Sequence, residues 1–329
     1  MSSSDSETPT LSALLTSKPS TPLILDGALA TYLELLGADI STALWSATLL
    51  LSQPSLIHKT HLDYYHAGAD IAITASYQAS VQGLQKHLNL PEHEAKNVVK
   101  KSVELAIQAR SDYLGSLTDE VEKERKSKRL LVAGSVGPYG AFLADGSEYR
   151  GDYVLSKSSM KDFHRGRISA LIEAGCDVLA CETLPSIGEL EALVELLEEF
   201  PGTEAWFSFT MKDAEHISDG TSLDKVCETL KECKQAVAVG VNCVPEETAL
   251  GALKQLAKLT SKPLVVYPNS GEQWNAESRS WQGERNKGAQ LAERTKEWWN
   301  AGARLIGGCC RTTPEDINII EQSLRGVQS

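Results

Sequence analysis

Eight short apolar runs, each bounded by Gly, Pro or polar residues, constrain this chain more than any other feature. They fall at 23–26, 70–74, 130–136, 177–181, 205–209, 237–241, 263–267 and 304–308. Near-continuous hydrophobicity of this kind belongs to strands buried on both faces, as in a parallel sheet. Helical periodicity follows the runs, for example at 55–66, 92–113, 161–173, 188–200, 246–259 and 290–301. A weak repeat marks the return to the sheet: Ala67-Gly68-Ala69-Asp70, Ala174-Gly175-Cys176-Asp177 and Ala301-Gly302-Ala303-Arg304 each join a helix end to a strand start. Glycine there tolerates the left-handed conformation that ends a helix. The segments after the strands are long by contrast, at 137–159, 210–221 and 268–287. Short turns at one end and long loops at the other predict a single-domain α/β fold, a (β/α)8 TIM barrel with its site on the long-loop, C-terminal face. An open doubly wound sheet is the structural alternative. No G-x-G-x-x-G follows any run, which argues against a dinucleotide site.

Charge and composition narrow the partners. Lys plus Arg total 32 against 44 Asp plus Glu, a net charge of −12. That sign is wrong for a phosphate backbone, so no nucleic acid is expected. No apolar run approaches the roughly 18 residues that span a bilayer, so no membrane is expected. Residues 1–10 lack the apolar core of a secretory signal and the arginine of a mitochondrial presequence, which points to a cytoplasmic address. In a reducing cytosol the seven cysteines are expected as thiols or metal ligands rather than disulfides. Residues 1–20 read as a mobile or loosely packed arm and 21–326 as the barrel domain. The mixed-charge run 118–129 reads as an exposed helix end plus a loop. The oligomeric state is left open, a homo-oligomer included.

Function in this architecture sits at the strand ends. Those are Asp26-Gly27, Thr74-Ala75-Ser76-Tyr77, Cys181-Glu182-Thr183, Asn242-Cys243, Pro268-Asn269-Ser270-Gly271 and Gly307-Gly308-Cys309-Cys310-Arg311. Cys243, Cys309 and Cys310 therefore share one face, on strands separated by a single neighbour. Adjacent residues of a regular strand point to opposite sides, so Cys309 and Cys310 can share a metal only if the backbone turns, a freedom that Gly307-Gly308 offers. Three thiolates with one open position describe a catalytic zinc site, and soft ligands favour zinc over magnesium or calcium. The same spacing suits three small buried hydrophobes or a vicinal disulfide. Cys176, Cys181, Cys227 and Cys233 read as core or incidental. Asp26 and Glu182 end largely apolar strands, where a carboxylate is costly unless it is paired, solvated or bound to a cation. The seven histidines form no H-E-x-x-H spacing and read as solvated or structural.

From about 23 to 324 these pieces resemble the homocysteine S-methyltransferases. The matching tracts are Asp26-Gly27-Ala28-Leu29-Ala30-Thr31, Leu44-Trp45-Ser46, Gly68-Ala69-Asp70, Ile73-Thr74-Ala75-Ser76-Tyr77-Gln78 and Gly134-Ser135-Val136-Gly137-Pro138-Tyr139. Further matches are Cys181-Glu182-Thr183, Gly240-Val241-Asn242-Cys243, Pro268-Asn269-Ser270-Gly271-Glu272 and Gly307-Gly308-Cys309-Cys310-Arg311-Thr312-Thr313-Pro314. Leu62-Asp63-Tyr64-Tyr65 and the tract 143–153 (LADGSEYRGDY) look like the branch that uses S-methylmethionine or S-adenosylmethionine. The resemblance implies Zn2+ on Cys243, Cys309 and Cys310, a homocysteine thiol as fourth ligand, and no cobalamin or folate module. The small-molecule partners would be homocysteine and a sulfonium methyl donor. Asp26 and Glu182 are then expected to take the homocysteine ammonium, and backbone N–H groups near Gly27-Ala28 its carboxylate. Trp45, Tyr77 and Tyr139 are candidate aromatic faces for the sulfonium, and Asn269 a candidate for the open metal position. A betaine-dependent methyltransferase or a non-catalytic zinc- and thiol-binding barrel are the alternatives.

Overall fold

The helix-to-strand repeats adopt the backbone their glycines permit: Gly68, Gly175 and Gly302 carry φ of 103°, 86° and 109°. Each turn delivers the chain into a parallel strand. The computed structural model describes residues 9–17, 21–40, 44–127, 129–271, 273–275, 280–282 and 285–326. In chain order the strands are β1 (Leu23–Ile24), β2 (Ile71–Ile73), β3 (Leu131–Val136), β4 (Val178–Leu184), β5 (Ala205–Phe209), β6 (Ala236–Asn242), β7 (Leu264–Tyr267), the hairpin β8 (Gln273–Asn275) and β9 (Ser280–Gln282), and β10 (Ala303–Ile306). Eight of them form one parallel sheet, ordered β1-β10-β7-β6-β5-β4-β3-β2. A parallel bridge between Leu25 and Ile71 joins β1 to β2 and closes the circle. The fold is a (β/α)8 barrel, as the strand-and-loop pattern predicts. Helices Pro54–His66, Glu92–Ser116, Lys157–Glu173, Ile187–Leu197, Glu246–Leu259 and Ala289–Asn300 stand where the periodicity puts them, with ends shifted by a few residues.

Strand alternation divides the core in two. Val178 and Ala180 face the lumen with Leu131, Ala133, Trp206, Ala238, Val265 and Leu305. Leu179, Cys181, Phe207, Val239 and Val266 face the helices. Two-residue periodicity then carries the lumen face upward into polar residues: Ser135, Glu182, Ser208, Asn242 and Tyr267. The site is thus the continuation of the barrel's inner wall beyond its apolar layers.

The lower end is closed differently. Where the sequence reading has a loose arm, Leu11–Ser17 is a helix, and Leu11 and Leu15 pack into the lumen cluster with Leu23 and Trp206. A barrel floor is apolar and open to water unless something covers it, and two leucines one helical turn apart do so. Ser12 N–H fixes the helix to Glu204 Oε2 at 2.9 Å. The charged run also differs: Glu120–Ser127 is a separate helix, begun by Asp119 Oδ1, which accepts from Val121 N at 2.9 Å and Glu122 N at 3.2 Å. Among the described residues no helix is long and apolar enough to cross a membrane.

Candidate active site

The three cysteines meet because β7 holds both segments that carry them. Cys243 N–H donates to Tyr267 O at 3.2 Å, Asn269 N–H to Val244 O at 3.0 Å, Cys309 N–H to Pro268 O at 2.7 Å, and Ser270 N–H to Cys310 O at 3.1 Å. The chain leaves β6 through Cys243 itself, in the left-handed region at φ 55°. The expected role of Gly307-Gly308 needs correction. Neither glycine has a positive φ; the left-handed residue is Arg311, at 70°. The glycines are there for room. A Cβ at Gly307 would stand 2.6 Å from Leu25 Cβ, and one at Gly308 would stand 2.4 Å from Thr312 Oγ1.

Cys243 Sγ lies 3.5 Å from Cys310 Sγ, and the three sulfurs lie within 4.8 Å of one another. Sulfurs on a tetrahedral zinc at ~2.3 Å would stand ~3.8 Å apart, so the donor set and its spacing fit that ion. Among the described residues this is the one group of His, Cys, Asp or Glu side chains gathered closely enough for a metal. The thiols also share protons. Hydrogen bonds from Cys243 and Cys309 hold Cys310 well below the usual thiol range. Hydrogen bonds to the other two thiols, and burial, hold Cys309 well above it.

Two strand-borne carboxylates lie beneath. Glu182 is buried, and Ser135 Oγ donates to its Oε1. Burial pushes its pKa up to about 7. Asp26 is buried as well, accepts Ile73 N–H at 2.8 Å, and is raised well above the usual range by burial, with the Glu182 charge adding. A Cβ at Gly27 would stand 2.9 Å from both Thr312 Oγ1 and Tyr64 Oη, so this corner admits only glycine. The neighbouring Ala28 N–H already donates to Thr312 Oγ1 at 3.1 Å, which removes it from the anion-binding role expected of it. Asn242 braces the wall: its Oδ1 accepts from Thr183 N and Ser208 Oγ, each at 2.8 Å, and its Nδ2 donates to Thr183 Oγ1 at 2.8 Å. Tyr267 Oη accepts from Trp206 Nε1 at 3.0 Å.

The aromatic candidates separate. Tyr77 is half-buried, hydrogen-bonded to Thr183 and within reach of the Glu148, Cys243 and Glu182 charges. Its carbonyl is pinned by the buried Arg167 Nη1 at 2.8 Å. Tyr139 instead packs among Phe142, Tyr153 and Phe163, with ring centroids 5.4, 5.5 and 5.0 Å away. Trp45 begins a 3-10 turn, Trp45–Thr48, but its side chain lies outside the described residues. Asn269 lines a small cavity with Glu246, Trp298 and Asp316, and its Oδ1 is buried without a hydrogen-bond partner. The four other cysteines lie in or against the helix-facing core.

Sequence reasoning missed two residues. Tyr149 Oη reaches Cys243 Sγ at 3.9 Å, and the adjacent Glu148 is buried. Both sit in the tract 143–153, far from any strand end. The signal that could have found them is a carboxylate beside an aromatic in a long loop on the catalytic face.

Fold and site together define a (β/α)8 barrel with a thiol cluster at its mouth able to hold a metal. The family model for homocysteine S-methyltransferases matches residues 23–324. The chain is 54% identical to the homocysteine S-methyltransferase of Escherichia coli over 90% of its own length and 93% of that protein's. It is 46% identical to homocysteine S-methyltransferase YbgG of Bacillus subtilis, over 93% and 96%. The metallated form of the E. coli homocysteine methyltransferase MmuM superposes with a TM-score of 0.83 at 50% identity, over 94% of this chain and 98% of that one. This chain belongs to the homocysteine S-methyltransferase family.

Proposed function

We propose that this protein moves a methyl group from a sulfonium donor to the thiol of homocysteine, giving methionine, with S-methylmethionine preferred to S-adenosylmethionine. The observation that carries this reading is the cluster of three thiols within 4.8 Å at the barrel mouth, directly above two buried carboxylates. Cys243, Cys309 and Cys310 would hold zinc. When bound, zinc supplies the positive charge that keeps an acceptor sulfur a thiolate at neutral pH, where a free thiol with pKa near 8.5 is mostly protonated.

The chain's own residues do the rest. Glu182 and Asp26 offer the carboxylate charge that binds the homocysteine ammonium, and Ser135 fixes which oxygen Glu182 presents. Tyr77 offers a ring face to the cationic donor, an attraction worth about 0.5–2 kcal/mol. The acceptor sulfur attacks the methyl carbon with its lone pair as the donor C–S bond breaks. The donor leaves as a neutral thioether, so the sulfonium charge disappears in the step and no general base is needed in it. Holding S, CH3 and S in line is where much of the acceleration arises. A bulky adenosyl group has to be admitted past the segment 137–159 on the catalytic face, which favours the smaller donor. Free thiols at the mouth suit a reducing cytoplasm.

The deciding experiment is methionine formation from homocysteine with S-methylmethionine, S-adenosylmethionine or betaine, with and without a zinc chelator. The expected order of kcat/KM is S-methylmethionine, then S-adenosylmethionine, then little or none with betaine. A preference for betaine overturns the donor assignment, and chelator-resistant turnover overturns the metal.

A further inference from the structure

We propose that Glu148 is the anionic wall of the donor subsite, the carboxylate that receives the positive charge of the sulfonium; this rests on the sulfonium reading above. Its backbone is fixed by contacts of the loop. Asp145 Oδ1 accepts Ser147 N–H at 3.0 Å, Gly151 N–H donates to Ser147 O at 2.8 Å, and Thr210 Oγ1 donates to Glu148 O at 3.1 Å. Gly140 packs against it so closely that a Cβ there would stand 2.5 Å from Glu148 N. The loop therefore drives this one side chain inward.

Once inside, one oxygen of the carboxylate is left unsatisfied. Glu148 is 5% exposed, and its Oε2 is buried with no hydrogen-bond partner. The nearest arginine in sequence, Arg150, turns to Asp152 at 2.7 Å and to Asp145 O at 3.0 Å. A buried carboxylate without a cation is expensive. A site that keeps one is shaped for a cationic ligand.

Position then selects the ligand. Glu148 lies in the electrostatic neighbourhood of Cys243 and Tyr77, beside Tyr149, whose Oη reaches Cys243 Sγ at 3.9 Å. It comes from the loop side of the thiols, whereas Glu182 and Asp26 come from the strands. An in-line transfer requires the two sulfurs on opposite sides of the methyl. The acceptor, anchored by its ammonium on the strand carboxylates, leaves the loop side for the donor.

The test is steady-state kinetics of the zinc-loaded protein, varying each substrate at saturation of the other, for wild type, Glu148→Gln and Glu148→Asp. A second arm compares inhibition by methionine analogues that carry a sulfonium or its neutral carbon isostere. Glu148→Gln should raise the donor KM at least tenfold, leave the homocysteine KM within twofold and keep the zinc content. It should also abolish the preference for the charged inhibitor. Glu148→Asp, which retains the charge and guards against a folding defect in the Gln variant, should fall between. An unchanged donor KM, or an equal rise in the homocysteine KM, overturns the assignment of Glu148 alone. A wild-type protein that takes no methyl from any sulfonium overturns the functional reading and this proposal together.

Discussion

Two sets of carboxylates, one at each end of this barrel, are treated oppositely. At the lower end Asp70 is fully buried. It accepts Ile24 N–H at 2.8 Å, binds Arg129 Nε at 2.7 Å, and is also bound by Arg325. Burial alone would raise its pKa, but Arg325 and Arg129 hold it below the ordinary value. Asp177 repeats the device, with Val132 N–H at 2.6 Å and Arg110 Nη1 at 2.6 Å. At the upper end Asp26, Glu182 and Glu148 are just as hidden, yet among the described residues no ion pair reaches them, and all three are raised. The lower carboxylates are completed by the fold; these three are left for a ligand to complete. Stability and function are thus sorted to opposite faces, as barrel architecture expects.

The sharpest way to break this contrast is to remove a thiol. Cys309→Ala should abolish turnover by about three orders of magnitude or more, because without a full donor set the acceptor sulfur reverts to a protonated thiol. Metal analysis should fall from about one zinc per chain toward none, while the melting temperature of the metal-free protein stays close to wild type. Wild-type turnover in Cys309→Ala would sink the metal assignment.

Asp70→Asn should give the mirror image. Removing one partner of a buried ion pair strands two arginines and costs about 3–5 kcal/mol, read by denaturant unfolding. The surviving folded protein should keep its zinc. The sign with pH follows from the lowered pKa: the stabilisation is fully present above the ordinary carboxylate value and is lost as pH falls through the folded one. An unchanged unfolding midpoint would remove the distinction between the two ends.

How much of this contrast the sequence shows follows from where each residue sits. Asp70 and Asp177 occupy the fourth place of the A-G-x-D repeat, so their common position is visible, but their arginines come from 59, 255 and 67 residues away and no local pattern announces them. Glu182 and the cysteines are legible because strand ends can be read from apolar runs. Glu148 and Tyr149 are not, because a loop residue's direction is set by contacts such as Gly140 and Thr210. The helix Leu11–Ser17 is hidden for a related reason: its two buried leucines have meaning only once a barrel floor exists to receive them.

Glu182→Gln probes the upper end more gently. Losing the charge while keeping the shape should raise the homocysteine KM and lower kcat, together about 10–100-fold in kcat/KM, an amount typical of a positioned charged contact. With its pKa near 7 in the free protein, wild type should bind homocysteine more weakly as pH drops below that value, and the variant should lose this dependence. Its stability should move oppositely to that of Asp70→Asn. A raised carboxylate contributes fully below its ordinary pKa, and the contribution is lost as pH rises through about 7, so Glu182→Gln should melt no lower than wild type at pH 8. A loss like that of Asp70→Asn would mean that Glu182 is structural.

The smallest effect is expected at Asn269, which lies at the mouth in sequence and behind it in space. Its side chain lines a cavity with Glu246 and Trp298, and Oδ1 has no partner to lose. The neighbouring backbone, however, joins the cysteine segments through Pro268 O and the N–H groups of Asn269 and Ser270, and every one of those bonds survives truncation of the side chain. If the amide were a metal ligand or oriented one, Asn269→Ala would weaken zinc binding by about 10–100-fold, as loss of a supporting contact does. If the backbone alone matters, zinc affinity measured by competition with a chelator should change by much less than that, and Asn269→Pro, which deletes the N–H bonded to Val244 O, should lower it far more than Asn269→Ala. Equal losses in the two variants would return the amide to the metal site.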